Sequence, residues 1–113
     1  MPTPPVSRDL KESDWKLFRR LRAVALDRFC QRVLDEVTRI ANDSGRTAHE
    51  RYLATYQLMR DRDRALADMF DDPRRSTAVF QLTAIHSRGL LTEEEFAGFS
   101  PETRESATWH ERI

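Results

Sequence analysis

The chain has 113 residues, enough for one modest hydrophobic core but not for two, and its 19 basic and 19 acidic side chains leave no formal net charge. A neutral chain has no bulk electrostatic attraction to nucleic acid or to an anionic membrane, so binding must come from local patches. A single cysteine, Cys30, excludes an internal disulfide framework. No N-terminal apolar stretch reads as a signal peptide or membrane span, so the expected setting is the cytoplasm.

In chain order, residues 1–12, "MPTPPVSRDLKE", hold three prolines within five residues and no apolar period, which predicts a flexible N-terminal arm. Ser13 or Asp14 is the expected N-cap of a first, long helix. Its apolar positions run through Trp15, Phe18, Leu21, Ala25, Phe29, Val33, Val37 and Ile40, and "NDSG" ends it. Thr47 with Glu50 forms a capping box that opens a second helix through Tyr52, Tyr56, Met59, Leu66 and Phe70. Asp72 followed by Pro73 predicts the start of a third helix, closed by Gly89. A second capping box, Thr92 with Glu95, and then Ser100 followed by Pro101 predict two short C-terminal helices. No strand pattern competes. The expected fold is all-α, a long antiparallel helical hairpin with a third packed helix and short C-terminal helices. One domain is expected over residues 13–106, with a tail at 107–113.

At about 100° per residue, with Tyr52 at zero, Tyr56, Met59, Leu66 and Phe70 fall within about 40° of one line, which predicts a core-facing stripe on the second helix. Asp63 falls inside that stripe. A carboxylate facing a core requires a partner. A hairpin turning at residues 43–47 sets residue 63 opposite residue 27, so Arg22 or Arg28 is the expected partner in a partly buried ion pair. The other charges of "MRDRDRALADMF" fall mostly toward the solvent or at the edge of the stripe, which reads as a solvated helix face.

The apolar stripe of the first helix rotates along its length. Leu26, Phe29, Cys30, Val33, Leu34, Val37, Ile40 and Ala41 share one broad face, whereas Leu17, Leu21, Val24 and Ala25 point elsewhere. Residues 76–87, "STAVFQLTAIHS", hold no Asp, Glu, Lys or Arg in a chain that is 34% charged. Val79 shares a face with Leu82 and Ile85 while Phe80 and Ala84 take the opposite one, which predicts burial on two sides. Self-association as a homodimer through Leu17, Leu21, Val24, Val79, Phe80 and Ala84 is the economical solution, and a C-terminal lid is the alternative. Residues 16–32 carry six basic side chains against Asp27, and residues 93–111 carry Glu93, Glu94, Glu95, Glu102, Glu105 and Glu111 against Arg104. The two segments are therefore complementary. Phe96, Phe99 and Trp109 are the expected apolar part of their contact.

Catalytic patterns are missing from the sequence. "HERYL" at His49 approaches a zinc-protease motif but has Leu53 where the second ligand belongs. His86 lies at a helix end, where the dipole favours a cation, and His110 lies in the expected tail. Cys30 reads as a small buried hydrophobe. Without a Gly-rich phosphate loop or metal-ligand spacing, no enzyme activity and no cofactor are expected. The arginines of the first helix spread around its wheel with no recognition-helix signature, so a small nucleic-acid-associated regulator is the second reading and an interfacial membrane helix a poorer one still. Seventeen of the basic residues are arginine, a bias that fits a GC-rich bacterial genome.

At "SDWKLFRRLR", "ALDRFC", "AHERYL", "DDPRRSTA" and "GLLTEEEFAGFSPETRE" the chain resembles a family of small all-helical bacterial proteins to which no activity is attached. The resemblance implies a compact module and transfers no site. "RGLLTEEEF" is also similar to the SHOCT segment at the C-termini of many bacterial proteins, across residues 88–96 only. The sequence alone thus predicts a non-catalytic interaction or accessory module that binds itself or an unidentified protein.

Overall fold

In a computed structural model, which describes residues 10–111, the chain forms five helices and, among those residues, no strand. They are α1 (Glu12–Ala41), α2 (Ala48–Phe70), α3 (Ala78–Ser87), α4 (Glu93–Phe96) and α5 (Pro101–Glu111). Helices α1 and α2 run antiparallel. Arg22 meets the Phe70 carbonyl, Glu36 meets Arg62 and the Ala41 carbonyl meets Arg51, so partners advance in opposite directions along the two helices.

Both capping boxes form as the sequence predicts. Thr47 accepts from the Glu50 amide at 3.1 Å while Glu50 accepts from the Thr47 amide at 2.9 Å. Thr92 and Glu95 repeat the exchange at 3.0 and 2.8 Å. Each box satisfies two of the amides that a helix start leaves without partners. At the end of α3, Gly89 adopts φ 68°, its amide donates to the His86 carbonyl at 3.0 Å and the Leu90 amide donates to Ile85 at 3.2 Å. This pair of bonds is the Schellman motif. A Cβ on Gly89 would meet nothing within 4 Å, so the cost of adding one is purely a backbone cost. Gly89→Ala is expected to destabilise by about 1 kcal/mol in urea denaturation, and a value near zero would show that the turn relaxes.

Three boundaries depart from the sequence reading. Asp72 does not cap α3: it sits at φ 47°, in the left-handed region that a short polar side chain tolerates, and α3 begins five residues after Pro73 with Thr77 as N-cap. The expected arm gives up its last residues to the domain, since Leu10 is buried and α1 opens at Glu12, while residues 1–9 lie outside the described residues. The expected tail is mostly helix, with α5 reaching Glu111 and Ala107 fully buried.

Neither Ser13 nor Asp14 caps α1, whose N-cap is Lys11; Asp14 is buried and holds Ser100, the residue before α5, whose hydroxyl accepts from the Thr103 amide at 3.4 Å. The Asp14 carboxylate accepts from the Ser100 amide at 3.0 Å, the Ser100 hydroxyl at 2.6 Å and the Thr103 hydroxyl at 2.7 Å, so the start of α5 is fastened to the start of α1. Burial pushes its carboxyl pKa upward, but the hydrogen bonds from Ser100 and Thr103 outweigh that and hold it below the ordinary carboxylate range.

The core lies at one end of the molecule. Phe18, Leu21, Ala25, Phe29 and Val33 of α1 pack with Met69 and Phe70 of α2, with Val79, Leu82 and Ile85 of α3, and with Leu90, Leu91, Phe96, Phe99 and Ala107 beyond. Helix α5 covers α3 within the same chain, and the Thr83 hydroxyl reaches the Ala107 carbonyl at 3.4 Å. The lid alternative therefore describes the two-sided burial of α3. The complementary segments also meet, through Arg28 with Glu95 at 2.6 Å.

Arginine has a structural task in this fold. Arg22 donates to the Phe70 carbonyl at the end of α2, and Arg51 donates to the Ala41 carbonyl at the end of α1. Beyond α3, Arg28 donates to Leu90 at 2.9 Å, and Arg32 to Arg88 and Gly89 at 2.7 Å each. A helix end leaves carbonyls without partners and carries negative partial charge, and a guanidinium answers both.

Candidate protein-interaction surface

From residue 34 to residue 68 no residue is fully buried. This span is the distal half of the hairpin, and it projects from the core: the described residues extend 53 × 31 × 24 Å with a radius of gyration of 17.0 Å. A compact domain of this size would have about 13 Å.

The rotation of α2 decides what the projecting arm exposes. Its half-buried side toward α1 is built from Arg51, Ala54, Thr55, Leu58, Arg62 and Ala65, where small residues allow close approach. The stripe predicted to face the core lies to one side of that line. Tyr52 is 69% exposed, Tyr56 61% and Met59 46%, and only Leu66, Met69 and Phe70 turn inward as the helix nears the core. Asp63 belongs to the same outward stripe and is exposed. The expected buried ion pair of Asp63 with Arg22 or Arg28 is therefore corrected: Arg22 is engaged with the Phe70 carbonyl, and Arg28 holds Glu95 with contacts of 2.6 and 3.1 Å. The Arg28 guanidinium, with the Thr92 amide beside it, holds the Glu95 carboxyl down at about 2.

Helix α1 extends the same face with Cys30, Leu34 and Ala41, of which Leu34 is 55% exposed. Two shallow apolar grooves meet at Met59. One, about 460 Å³, lies between Ala41, Ala48, Tyr52 and Tyr56. The other, about 210 Å³, lies between Cys30, Leu34 and Leu66. Together they follow α2 from Ala48 to Leu66, about 27 Å at the rise of an α-helix. Arg62 with Glu36, at 3.0 Å, ties α1 to α2 beside this strip.

The residues expected to form a self-association surface do not form one. Leu21 and Val79 are in the core, and Leu17 and Ala84 are half-buried against it, with Leu17 beside Gly98. Only Val24 and Phe80 remain exposed, and the Phe80 ring meets the edge of His110 with centroids 4.8 Å apart. The reason is that α5 already occupies the second face of α3. The residues that the sequence reading missed, Leu34, Tyr52, Tyr56 and Met59, did carry a signal, their helical period, but the period alone does not say toward which side the stripe turns.

The histidines sit in ordinary packing. His49 is exposed in the first turn of α2. His86 stacks on Phe96 with centroids 3.8 Å apart, and its Nδ1 lies 2.6 Å from Glu111. Among the described residues no His, Cys, Asp and Glu group is arranged to hold a metal ion, and no helix is long and apolar enough to cross a membrane. With Arg22, Arg28 and Arg32 turned to helix ends, half of the basic side chains in residues 16–32 are unavailable to a phosphate backbone. Compared with protein-family models, with curated proteins and with solved structures, the chain matches none.

Proposed function

We propose that the protein is a non-catalytic, cytoplasmic interaction module that pairs with a second copy of itself through the projecting face of α1 and α2. One observation carries this reading: 35 consecutive residues fold as two helices without burying a single one of them, while Leu34, Tyr52, Tyr56 and Met59 stand exposed on one side. A pair of amphipathic helices needs a further layer to cover its apolar stripe.

A second copy suits the surface in charge and in area. Residues 34–68 hold six arginines against seven carboxylates, so two arms meet without net repulsion of consequence. At the exposures given, the four side chains offer on the order of 500 Å² per chain. Two copies thus remove on the order of 1,000 Å² before the polar rim is counted, the lower bound for a specific interface. Two hairpins laid face to face form a four-helix bundle, the architecture in which such stripes are buried.

The test is light scattering behind size exclusion, with the rate of Cys30 alkylation as a second readout. Wild type is expected at twice the 13.3 kDa chain mass, with Cys30 protected as concentration rises. Tyr56→Glu places a charge in the middle of the strip and is expected to give a monomer of unchanged helicity, because the Tyr56 ring is outside the core. A wild type that stays monomeric at high micromolar concentration would overturn the reading.

A further inference from the structure

A different feature lies where the hairpin meets α3. A cleft of about 290 Å³ opens where α1 and α2 meet the end of α3, lined by the guanidinium-bearing Arg32, Arg62 and Arg88 and one carboxylate, Glu36. Its floor is apolar and well packed: Phe29 is 4% exposed, Val33 8% and Leu90 2%.

The charges in the cleft do not all cancel. Arg62 is engaged with both oxygens of Glu36, at 3.4 and 3.0 Å. Arg32 spends two of its donors on the Arg88 and Gly89 carbonyls and so answers the negative end of α3. Arg88 has neither a carboxylate nor a carbonyl partner for its guanidinium among the described residues, and its Cζ lies over the Phe29 ring, 5.9 Å from the centroid. A guanidinium over an aromatic face is attracted to it without using its N–H donors, which stay available to receive a carboxylate with two parallel hydrogen bonds.

We infer that this cleft binds a small monocarboxylate with a short hydrocarbon tail, the carboxylate on the edge of Arg88 and the tail over Phe29, Val33 and Leu90. Three guanidiniums against the one carboxylate of Glu36 leave the cleft positively charged, and Arg88 is the one whose donors are not engaged, so a single carboxylate is placed on it. The volume, close to that of ten water molecules, suits a chain of about six carbons. Arg32 and Arg62 line the same opening, but their guanidiniums are engaged by the carbonyls at the end of α3 and by Glu36, which leaves Arg88 as the anion-binding group. The cleft shares Phe29, Val33 and Arg62 with the groove at Met59, but Arg32, Glu36, Arg88 and Leu90 belong to neither groove of the apolar strip.

Titration of the full-length protein with hexanoate, followed by calorimetry and by amide chemical shifts at Leu90 and Arg88, tests the inference. Hexanoate is expected to bind saturably, and hexan-1-ol and inorganic phosphate at least tenfold more weakly, since each supplies only half of the chemistry. Arg88→Gln and Arg88→Ala are both expected to lose hexanoate affinity by tenfold or more with little change in the melting curve, because Arg88 is exposed and approaches the core only at the Phe29 ring. An exposed-arginine control, Arg60→Ala, is expected to leave binding unchanged. Absence of saturable hexanoate binding, equal binding of hexanol or phosphate, or full affinity in either Arg88 variant would each overturn the assignment.

Discussion

Phe70→Ala is expected to lower the free energy of unfolding by about 3–5 kcal/mol, the range for deleting a fully buried aromatic ring. The ring is 1% exposed and packs at a tilt on Phe29 with centroids 6.3 Å apart. The Arg22 guanidinium lies 5.9 Å from its centroid while donating to the carbonyl of the same residue. One residue thus ends α2, fills the junction with α1 and positions the arginine that answers the helix end. Truncation leaves a cavity in the layer where α1 and α3 also meet, and the neighbouring rings are held by their own contacts and close it only in part. For a chain of this length the melting temperature is expected to fall by roughly 15 °C. Urea denaturation followed by circular dichroism measures the loss, and a value under about 1 kcal/mol would mean that α2 ends independently of the core.

The second large effect belongs to Asp14. Asp14→Ala removes the common acceptor of three donors, two from Ser100 and one from Thr103, and leaves them in a largely dry place. Buried donors without partners cost about 1–3 kcal/mol each, and Ser100 retains some access to water, so a total of about 3 kcal/mol is expected. Helix α5 should loosen first, because the staple to α1 is what holds its start. Hydrogen exchange at Thr103 to Ala107 should then rise ahead of exchange in α1, and equal protection in both helices would count against the staple.

The same carboxylate sets an acid limit. Its pKa is lower in the folded chain than in the unfolded one, so the folded state binds that proton less readily. The stabilisation is complete above the unfolded carboxyl value, near 3.9, and is lost as pH falls through the folded value. Glu95, held at about 2 by Arg28 and the Thr92 amide, extends the same dependence to lower pH. Unfolding free energy is therefore expected to be flat from neutral pH to about 5 and to decline below about 4. Asp14→Asn should make the decline shallower, and an unchanged slope in this variant would remove Asp14 from the account.

Local chemistry was legible in the sequence because it depends on neighbours three or four residues apart. The boxes at Thr47 with Glu50 and Thr92 with Glu95, the Gly89 stop and the Ser100 to Pro101 restart each act within one turn and need nothing from the rest of the chain. The all-α hairpin follows from the same kind of evidence, since a 3.6-residue period over α1 and α2 admits no other element.

What only the tertiary structure decided is direction. The stripe of Tyr52, Tyr56, Met59 and Asp63 has a helical period whichever way it turns. Helix α1 is reached by Arg51 and Arg62 from the half-buried side that also holds Ala54 and Ala65, and the stripe is left facing outward, since small side chains let a neighbouring helix lie closer than two tyrosines would. That one rotation exposes Asp63 rather than burying it and moves the apolar surface from α3 to the arm. In the same way Asp14 and Arg28, which are unremarkable on their own helix, acquire partners 86 and 67 residues away. A period states that a helix has two faces, and only the competition among all the apolar stripes for one small core settles which face each helix gives up.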